Sequence, residues 1–264
     1  MLKLTSQKDL RSVHKLDFCY LCGNGFNKDS ERSKDHIPPQ AIFDKQDRNF
    51  PLILLAHRSC NGARSPEDEV IGQLVSLLHG RVPAPHRNRL AVEVRTDTEH
   101  AHELGIFTGL KIEAVIQRWL KGFHAALYKT PLSDATRFAT QTPFPSGTLK
   151  NGSVIANPIP PQHCLFVEEL KRNRLAGSLD TIVCNNGKLR YECVWVQMDD
   201  GGWGCIYGID LYGWKNLGDI HNFPARGCAG LYRTENARFP PGSATSTRLA
   251  FTVENKDPLD PFAS

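Results

Sequence analysis

The sequence predicts an α+β protein with three parts: a small N-terminal module of two strands and a helix held together by Cys and His residues, amphipathic helices, and a small antiparallel β-rich C-terminal part. Three observations predict this fold class. Two Cys/His pairs frame an extended segment near the N-terminus, apolar residues recur at helical spacing after residue 111, and strand-like segments separated by turn residues dominate after residue 180. We place the three parts at residues 15–80, 81–130 and 131–264.

Length and composition are those of a globular protein. The chain has 264 residues, of which 40% are hydrophobic and 23% charged, so it can bury a core and lacks the signature of extensive disorder. No segment contains the roughly 20 consecutive apolar residues of a membrane span. The start of the chain also lacks the apolar run and cleavage site of an export signal. We therefore expect a cytoplasmic protein with no membrane partner.

The positive charge is concentrated in the N-terminal half. The net charge is +4, and residues 1–130 contain 19 Lys and Arg against 15 Asp and Glu, whereas residues 131–264 contain 13 of each kind. This bias suits a phosphate-bearing partner, although +4 is modest beside strongly basic nucleic-acid-binding proteins.

The eight cysteines divide into two groups by their spacing. Cys19 and Cys22 form one close pair, and His57 and Cys60 form another, which is the ligand pattern of tetrahedral structural zinc. We predict a structural Zn²⁺ at these four residues. The alternative is that His57 is an ordinary surface histidine and the cysteines are merely buried. The other five cysteines have no ligand spacing and are predicted to be buried thiols: Cys164, Cys184, Cys193, Cys205 and Cys228.

The segment between the two pairs is predicted to be a hairpin, which is followed by one helix. The first extended segment ends in the sequence DHIPP at residues 35–39, and the second is FPLILLA at residues 50–56. The segment HRSCNGARS at residues 57–65 then leads into one helix, with Ser65 as its N-cap and Pro66 at its first position, and this helix is expected to continue through residues 67–80.

A regular amphipathic helix is predicted at residues 111–128. Its apolar residues recur every three or four positions, which is typical of one buried helix face: Ile112, Val115, Ile116, Trp119, Leu120 and Phe123. Lys111, Arg118 and Lys121 are interpreted as a charged helix face that is solvated, the alternative being that it faces DNA.

The C-terminal half combines loop and strand signals. Residues 130–161 are rich in Thr, Pro, Ser and Gly and are interpreted as a long loop or connection. The turn Asn185-Asn186-Gly187 between two strand-like segments predicts a hairpin, and a further strand is expected at residues 203–214. The tail from residue 218 has no clear periodicity. These hairpins form either a separate domain or one α+β domain with the N-terminal module, partly covering its site.

The motif order of residues 17–70 resembles that of the HNH endonucleases. The pattern CxxC, then Asp-His-hydrophobic-Pro, then Cys-Asn-x-x-Arg-Ser occurs in that order, and Ala41-Ile42-Phe43 follows DHIPP as in some members of that family. The resemblance implies a zinc-clamped ββα-metal fold. It also implies metal-dependent hydrolysis of phosphodiester bonds in nucleic acid, with duplex DNA favoured over RNA.

The resemblance implies a role for each matching residue. His36 is expected to be the general base, because a neutral imidazole can take a proton from the attacking water. Asp35 and Asn61 are expected to hold one catalytic Mg²⁺ or Mn²⁺ through carboxylate and amide oxygens. That ion would stabilise the charge on the phosphate and on the departing 3′ oxygen. Arg64 is expected to hold a phosphate, the alternative being an exposed helix arginine.

The chain departs from the usual family pattern at two positions and leaves a third open. Asn61 stands where the family name would place histidine, and His57 stands where cysteine is more usual, but an amide binds Mg²⁺ and an imidazole binds zinc. Asn49 is the only asparagine between His36 and Asn61. It either orients the loop that carries His36 or is a polar loop residue.

Three functional interpretations follow from these residues. The first is a DNA endonuclease, and its alternative is a zinc-stabilised nucleic-acid-binding module without catalysis. The third, compatible with the first, treats residues 131–264 as a sensor or docking domain for a regulatory protein or a second copy of the chain. The nuclease would then be an effector in prokaryotic defence or restriction.

Overall fold

The structure is a computed structural model that describes residues 1–63, 65–78, 91–97, 102–108, 112–141, 161–211, 227–234 and 240–249. These residues form a mixed α+β fold, as the sequence predicts. The helices are α1 (Gln7–Ser12), α2 (Arg58–Gly62), α3 (Ser65–Leu78), α4 (Ile112–Tyr128) and α5 (Pro161–Leu175). The strands are β1 (Lys3–Leu4), β2 (Arg32–His36), β3 (Ile53–His57), β4 (Ala91–Asp97), β5 (His102–Thr108), β6 (Arg137–Gln141), β7 (Asp180–Cys184), β8 (Leu189–Met198), β9 (Trp203–Leu211), β10 (Gly227–Arg233) and β11 (Ala244–Leu249). None of these helices is long and apolar enough to cross a membrane.

The largest element is a seven-stranded sheet in the order β1-β7-β8-β9-β10-β6, with β11 paired to β8. It contains the predicted hairpin of β7 and β8. Asn185, Asn186 and Gly187 of its turn have φ angles of 54°, 55° and 76°, a left-handed conformation that Asn and Gly adopt at least cost. The sequence prediction of a small antiparallel C-terminal part is wrong in one respect. β1, from the N-terminus, pairs parallel with β7, and β11 pairs parallel with β8.

Several elements lie where the sequence predicted none. Residues 130–161 are not wholly a loop, because they include β6, and α5 begins at their end. Phe166, Val167 and Leu170 of α5 are buried against the sheet. The buried positions of this helix also include the polar residues Glu169 and Asn173, so its apolar periodicity is weak. The tail contains β10 and β11, and β4 pairs with β5 in a separate hairpin.

The helix α4 packs between the N-terminal hairpin and the large sheet. The ring of Phe123 stacks on that of Tyr191 in β8, with 4.5 Å between the centroids. On its other side, α4 approaches the hairpin so closely that a Cβ atom at Gly122 would lie 2.4 Å from Cδ1 of Ile37. A hydrogen bond of 3.0 Å from the Asn185 backbone nitrogen to the Phe50 carbonyl oxygen also joins the sheet to the N-terminal module.

One hydrophobic core therefore crosses both boundaries expected from the sequence, near residues 80 and 130. It contains Tyr20 and Leu52 of the N-terminal module, Trp119 of α4 and Trp195 of the sheet. This is the arrangement of the alternative in which the hairpins pack back onto the module. Four of the five predicted buried thiols are buried, Cys184, Cys193, Cys205 and Cys228, and the side chain of Cys164 lies outside the described part.

Candidate functional site

The four predicted zinc ligands lie together. The ligand atoms of Cys19, Cys22, His57 and Cys60 are all within 4.8 Å of one another. Zinc ligands about 2.0–2.3 Å from the ion lie roughly 3.5–4 Å apart when tetrahedral, so one ion fits among these atoms with a small contraction. The four residues are thus placed to bind a metal such as zinc.

A tight turn brings the first two ligands together. The backbone nitrogen of Gly23 donates to the carbonyl oxygen of Cys19 at 2.8 Å, and the nitrogen of Cys19 donates to the carbonyl oxygen of Asn24 at 2.8 Å. Gly23 has a φ of 75°, which a residue with a side chain adopts only with strain. The glycine after the CxxC motif therefore allows the chain to reverse beside Cys22.

The junction of β3 and α2 supplies the other two ligands. His57 ends β3, and its Nδ1 atom lies 3.4 Å from the Cys22 sulfur, so Nδ1 is the nitrogen that faces the cluster. Its ring is edge-on to the ring of Phe26, with centroids 5.0 Å apart, which fixes the imidazole plane. Burial, together with the charges of Cys19 and Cys22, raises the pKa of Cys60 to about 11. A bound cation would relieve this repulsion between thiolates.

The helix after the second pair packs against the strand that carries His36. In the β2–β3 hairpin, Asp35 lies opposite Leu54 and His36 opposite Ile53. The side-chain Nδ2 of Asn61 in α2 donates to Oγ of Ser33 at 3.1 Å and to the Lys34 carbonyl oxygen at 3.4 Å. This order of two strands and a helix agrees with the resemblance. The same order occurs in unrelated proteins, so it does not identify a family.

Asp35 has its carboxylate in the protein interior. Successive residues of a strand point to opposite faces, so Asp35 and His36 lie on opposite faces of β2. Asp35 is 4% exposed. Nη2 of Arg118 in α4 donates to both carboxylate oxygens at 3.0 Å, and the hydroxyl of Tyr20 donates to Oδ2.

Arg118 also pairs with a second carboxylate. Its Nη1 donates to Oδ1 of Asp68 in α3 at 2.5 Å. Burial raises the pKa of Asp68 to about 6, although the hydrogen bond from Arg118 opposes this effect. Burial disfavours the charged guanidinium of Arg118, but Tyr20, Asp35 and Asp68 outweigh it and raise the pKa of Arg118. One cation is thus shared by two carboxylates from separate elements.

This arrangement does not fit a divalent cation at Asp35. A cation would have to reach a buried carboxylate whose two oxygens are already bound by Arg118 and Tyr20. The expectation that Asp35 and Asn61 together hold Mg²⁺ or Mn²⁺ therefore gains no support from the geometry.

The remaining predicted residues are placed as follows. His36 is half-buried at the end of β2, and Asn49 is exposed. Nδ2 of Asn49 donates to the Gln46 carbonyl oxygen at 3.3 Å, a contact within its own turn. Arg64 lies outside the described residues. The roles of His36, Asn49 and Arg64 stay predictions.

Arg118 and Tyr20 are the residues that sequence reasoning missed. The interpretation of Arg118 as part of a solvated helix face is wrong, because its side chain is buried. A signal for this was available: Arg118 follows Val115 by three positions and directly precedes Trp119, so helical spacing places it beside the apolar face. Lys121, three positions further, has a side chain that is 18% exposed and donates to the Leu21 carbonyl oxygen at 3.1 Å and to the exposed Asp134 at 2.9 Å. Lys111 lies outside the described part.

Comparison of the chain with protein-family models, with curated proteins and with solved structures gave no match. The functional argument therefore rests on the site and on the motif resemblance.

Proposed function

We propose that this chain is a metal-dependent HNH-type endonuclease that hydrolyses phosphodiester bonds in nucleic acid, with duplex DNA as the expected substrate. The observation that carries the proposal is the Cys/His cluster. Cys19 and Cys22 come from the turn before the hairpin, whereas His57 ends β3 and Cys60 lies in α2. A zinc ion there would join the junction of β3 and α2 to the turn that precedes β2, the strand that ends in His36.

The proposed chemistry centres on His36. Its neutral imidazole accepts a proton from the water whose oxygen bonds to phosphorus, a step that contributes roughly 10²–10⁴-fold to rate in enzymes. The bond from phosphorus to the 3′ oxygen breaks, and that oxygen leaves as a hydroxyl after it takes a proton from solvent. Asn61 uses its amide nitrogen on Ser33 and Lys34, so its Oδ1 is the atom available to a cation. Asp35 is paired with Arg118, so a catalytic Mg²⁺ or Mn²⁺ would have to be held by Asn61 together with the substrate phosphate and water.

A specific observation favours a second candidate function. The Asp35–Arg118 pair gives the aspartate a structural task, the attachment of α4 to the hairpin, that requires no catalysis. A zinc-stabilised module that binds nucleic acid without cutting it would need this pair equally. The cytoplasmic effector role in prokaryotic defence or restriction, and control by a regulatory protein or a second copy of the chain, belong to the nuclease proposal alone.

The two candidates are separated by a cleavage assay. The assay compares three proteins: wild type, His36→Ala and the surface variant Asp134→Asn. Before the assay, their zinc contents and melting temperatures are measured and must agree. Each is incubated with supercoiled plasmid, linear duplex, single-stranded DNA and RNA in Mg²⁺, Mn²⁺ or EDTA. We expect ion-dependent cutting by wild type and Asp134→Asn, and a loss of about 100-fold or more in His36→Ala.

Two other outcomes would contradict the nuclease proposal. Cutting that is equal in wild type and His36→Ala would show that His36 is not the base. Retardation of nucleic acid without cutting under every condition would favour the binding module. The preferred substrate decides between DNA and RNA.

A further inference from the structure

A cleft lies on the face of the large sheet that points away from the N-terminal module. Along β8, Tyr191 and Cys193 face α4, whereas Arg190, Glu192 and Val194 face α5. The helix α5 covers β9 closely: a Cβ atom at Gly208 would lie 3.0 Å from Cδ1 of Leu170. It ends at Leu175, and beyond it a cavity of about 210 Å³ remains over β1, β7 and the start of β8.

The lining of this cleft is predominantly cationic. Lys3 of β1, Arg174 of α5 and Arg190 of β8 line it, and Glu192 is the one acid among the described lining residues. Three positive charges therefore face one negative charge. The floor is formed by Leu179, Thr181 and Val183, of which the first and the last are apolar. The cleft thus combines a largely apolar floor with an excess of positive charge at its walls.

Glu192 holds the two arginines in place. It is 3% exposed and accepts from Nε of Arg174 at 2.8 Å and from Nη1 of Arg190 at 2.9 Å. A guanidinium has five N–H donors, so Arg190 keeps further donors for a ligand while Glu192 holds its Nη1. Its side chain is 47% exposed and is reached from solvent. Side chains that are ordered before binding lose less conformational entropy when a ligand arrives.

We propose that this cleft binds a small phosphate-bearing ligand, with the phosphate on Arg190 and Lys3 and the apolar part on Leu179 and Val183. Phosphate matches the planar, bidentate donors of arginine. The volume lies below the roughly 300–1,000 Å³ of pockets for drug-sized molecules, which limits the ligand to about one nucleotide. The cleft and His36 lie on opposite sides of the sheet, so this site is independent of the proposed nuclease activity.

The test measures binding to the full chain by isothermal titration calorimetry at fixed ionic strength. The probes are inorganic phosphate, adenosine monophosphate and a short single-stranded oligonucleotide without a terminal phosphate. All proteins carry His36→Ala, so that the oligonucleotide stays intact and the result does not depend on cleavage. Arg190→Gln is compared with Arg248→Gln, an exposed arginine on β11 that also pairs with a carboxylate, that of Asp199.

We expect adenosine monophosphate to bind with a dissociation constant below about 1 mM. Loss of a charge-assisted contact in Arg190→Gln should weaken binding by about tenfold or more, and Arg248→Gln should leave it unchanged. If Arg190→Gln weakens the binding of the oligonucleotide alone, the ligand is a nucleic-acid strand and the small-molecule assignment is overturned. The site itself is overturned if no probe binds at about 10 mM. It is also overturned if Arg190→Gln and Arg248→Gln bind adenosine monophosphate with equal affinity.

Discussion

Arg118 of α4 and Asp35 of β2, 83 positions apart in the chain, are joined by two hydrogen bonds of 3.0 Å, and both side chains are 5% exposed. The pair attaches the helix that supports the large sheet to the hairpin that carries His36. It also places a protein cation where the motif resemblance implies a metal ion. The same aspartate is thus a structural anchor in this arrangement, whatever the chemistry of its neighbour His36.

Removal of Arg118 should destabilise the protein strongly. Arg118→Met would leave Asp35 and Asp68 without their buried cation, and such a loss costs about 3–5 kcal/mol. The control is Arg58→Met, because the side chains of Arg58 and of its partner Glu31 are 70% and 71% exposed, and it should cost about 1 kcal/mol or less. Urea denaturation of zinc-loaded protein measures both. Equal losses would mean that Asp35 and Asp68 do not depend on Arg118.

The Cys/His cluster should bind one zinc ion per chain. Cys22→Ala removes one ligand and should reduce the zinc content and lower the melting temperature, because zinc binding stabilises the folded module. Cys184→Ala removes a thiol that is buried in the sheet, away from the cluster. It should keep its zinc even though it loses some stability. The measurement is elemental analysis by mass spectrometry after dialysis, and full zinc retention in Cys22→Ala would contradict the assignment.

The close approach of α4 to the hairpin makes Gly122 necessary. In Gly122→Ala the new methyl group would lie 2.4 Å from Cδ1 and 3.1 Å from Cγ2 of the buried Ile37. Overpacking of this kind costs about 1–3 kcal/mol. Gly62→Ala in α2 is the control, because no atom lies within 4 Å of its added Cβ, and it should be neutral or stabilising by up to about 1 kcal/mol. The measurement is thermal unfolding. If Gly62→Ala proves less stable than Gly122→Ala, the packing of α4 on the hairpin is not as described.

His124 should make the protein less stable in acid. Burial lowers the pKa of its imidazole to about 3. Its two nitrogens lie 3.0 Å from the hydroxyl of Tyr232 and 3.3 Å from that of Thr130. An unfolded histidine titrates near pH 6.5, so between about pH 6.5 and 3 the unfolded state binds a proton that the folded state does not. The free energy of unfolding therefore falls as the pH is lowered, by about 2 kcal/mol between pH 7 and 5.

Comparison with His124→Gln isolates this contribution. Other groups, including the zinc ligands, titrate equally in both proteins, so only the difference between pH 7 and pH 5 is compared. The loss of stability should be about 2 kcal/mol smaller in His124→Gln than in wild type. An identical loss in the two proteins would show that His124 is not buried in its neutral form.

Features with a local signature could be predicted from the sequence. The spacing of Cys19, Cys22, His57 and Cys60 indicated their cluster, because zinc ligands commonly come in such close pairs. Helical periodicity indicated α4 almost to the residue, at Ile112–Tyr128. The Asn-Asn-Gly turn indicated the β7–β8 hairpin, because those residues tolerate the left-handed backbone that the turn requires.

The partner of Asp35, the membership of the sheet and the cleft were decided only by tertiary structure. A carboxylate beside a histidine has the same local sequence whether it faces a cation or an arginine 83 positions away. Likewise β1 has two residues and no periodicity, and it becomes a strand only because β7 offers it hydrogen bonds. Interactions between distant parts of the chain leave no mark on local spacing. The sequence by itself therefore determined the Cys/His cluster and the elements with a clear periodic or turn signal, and packing determined the other strands and which charges meet.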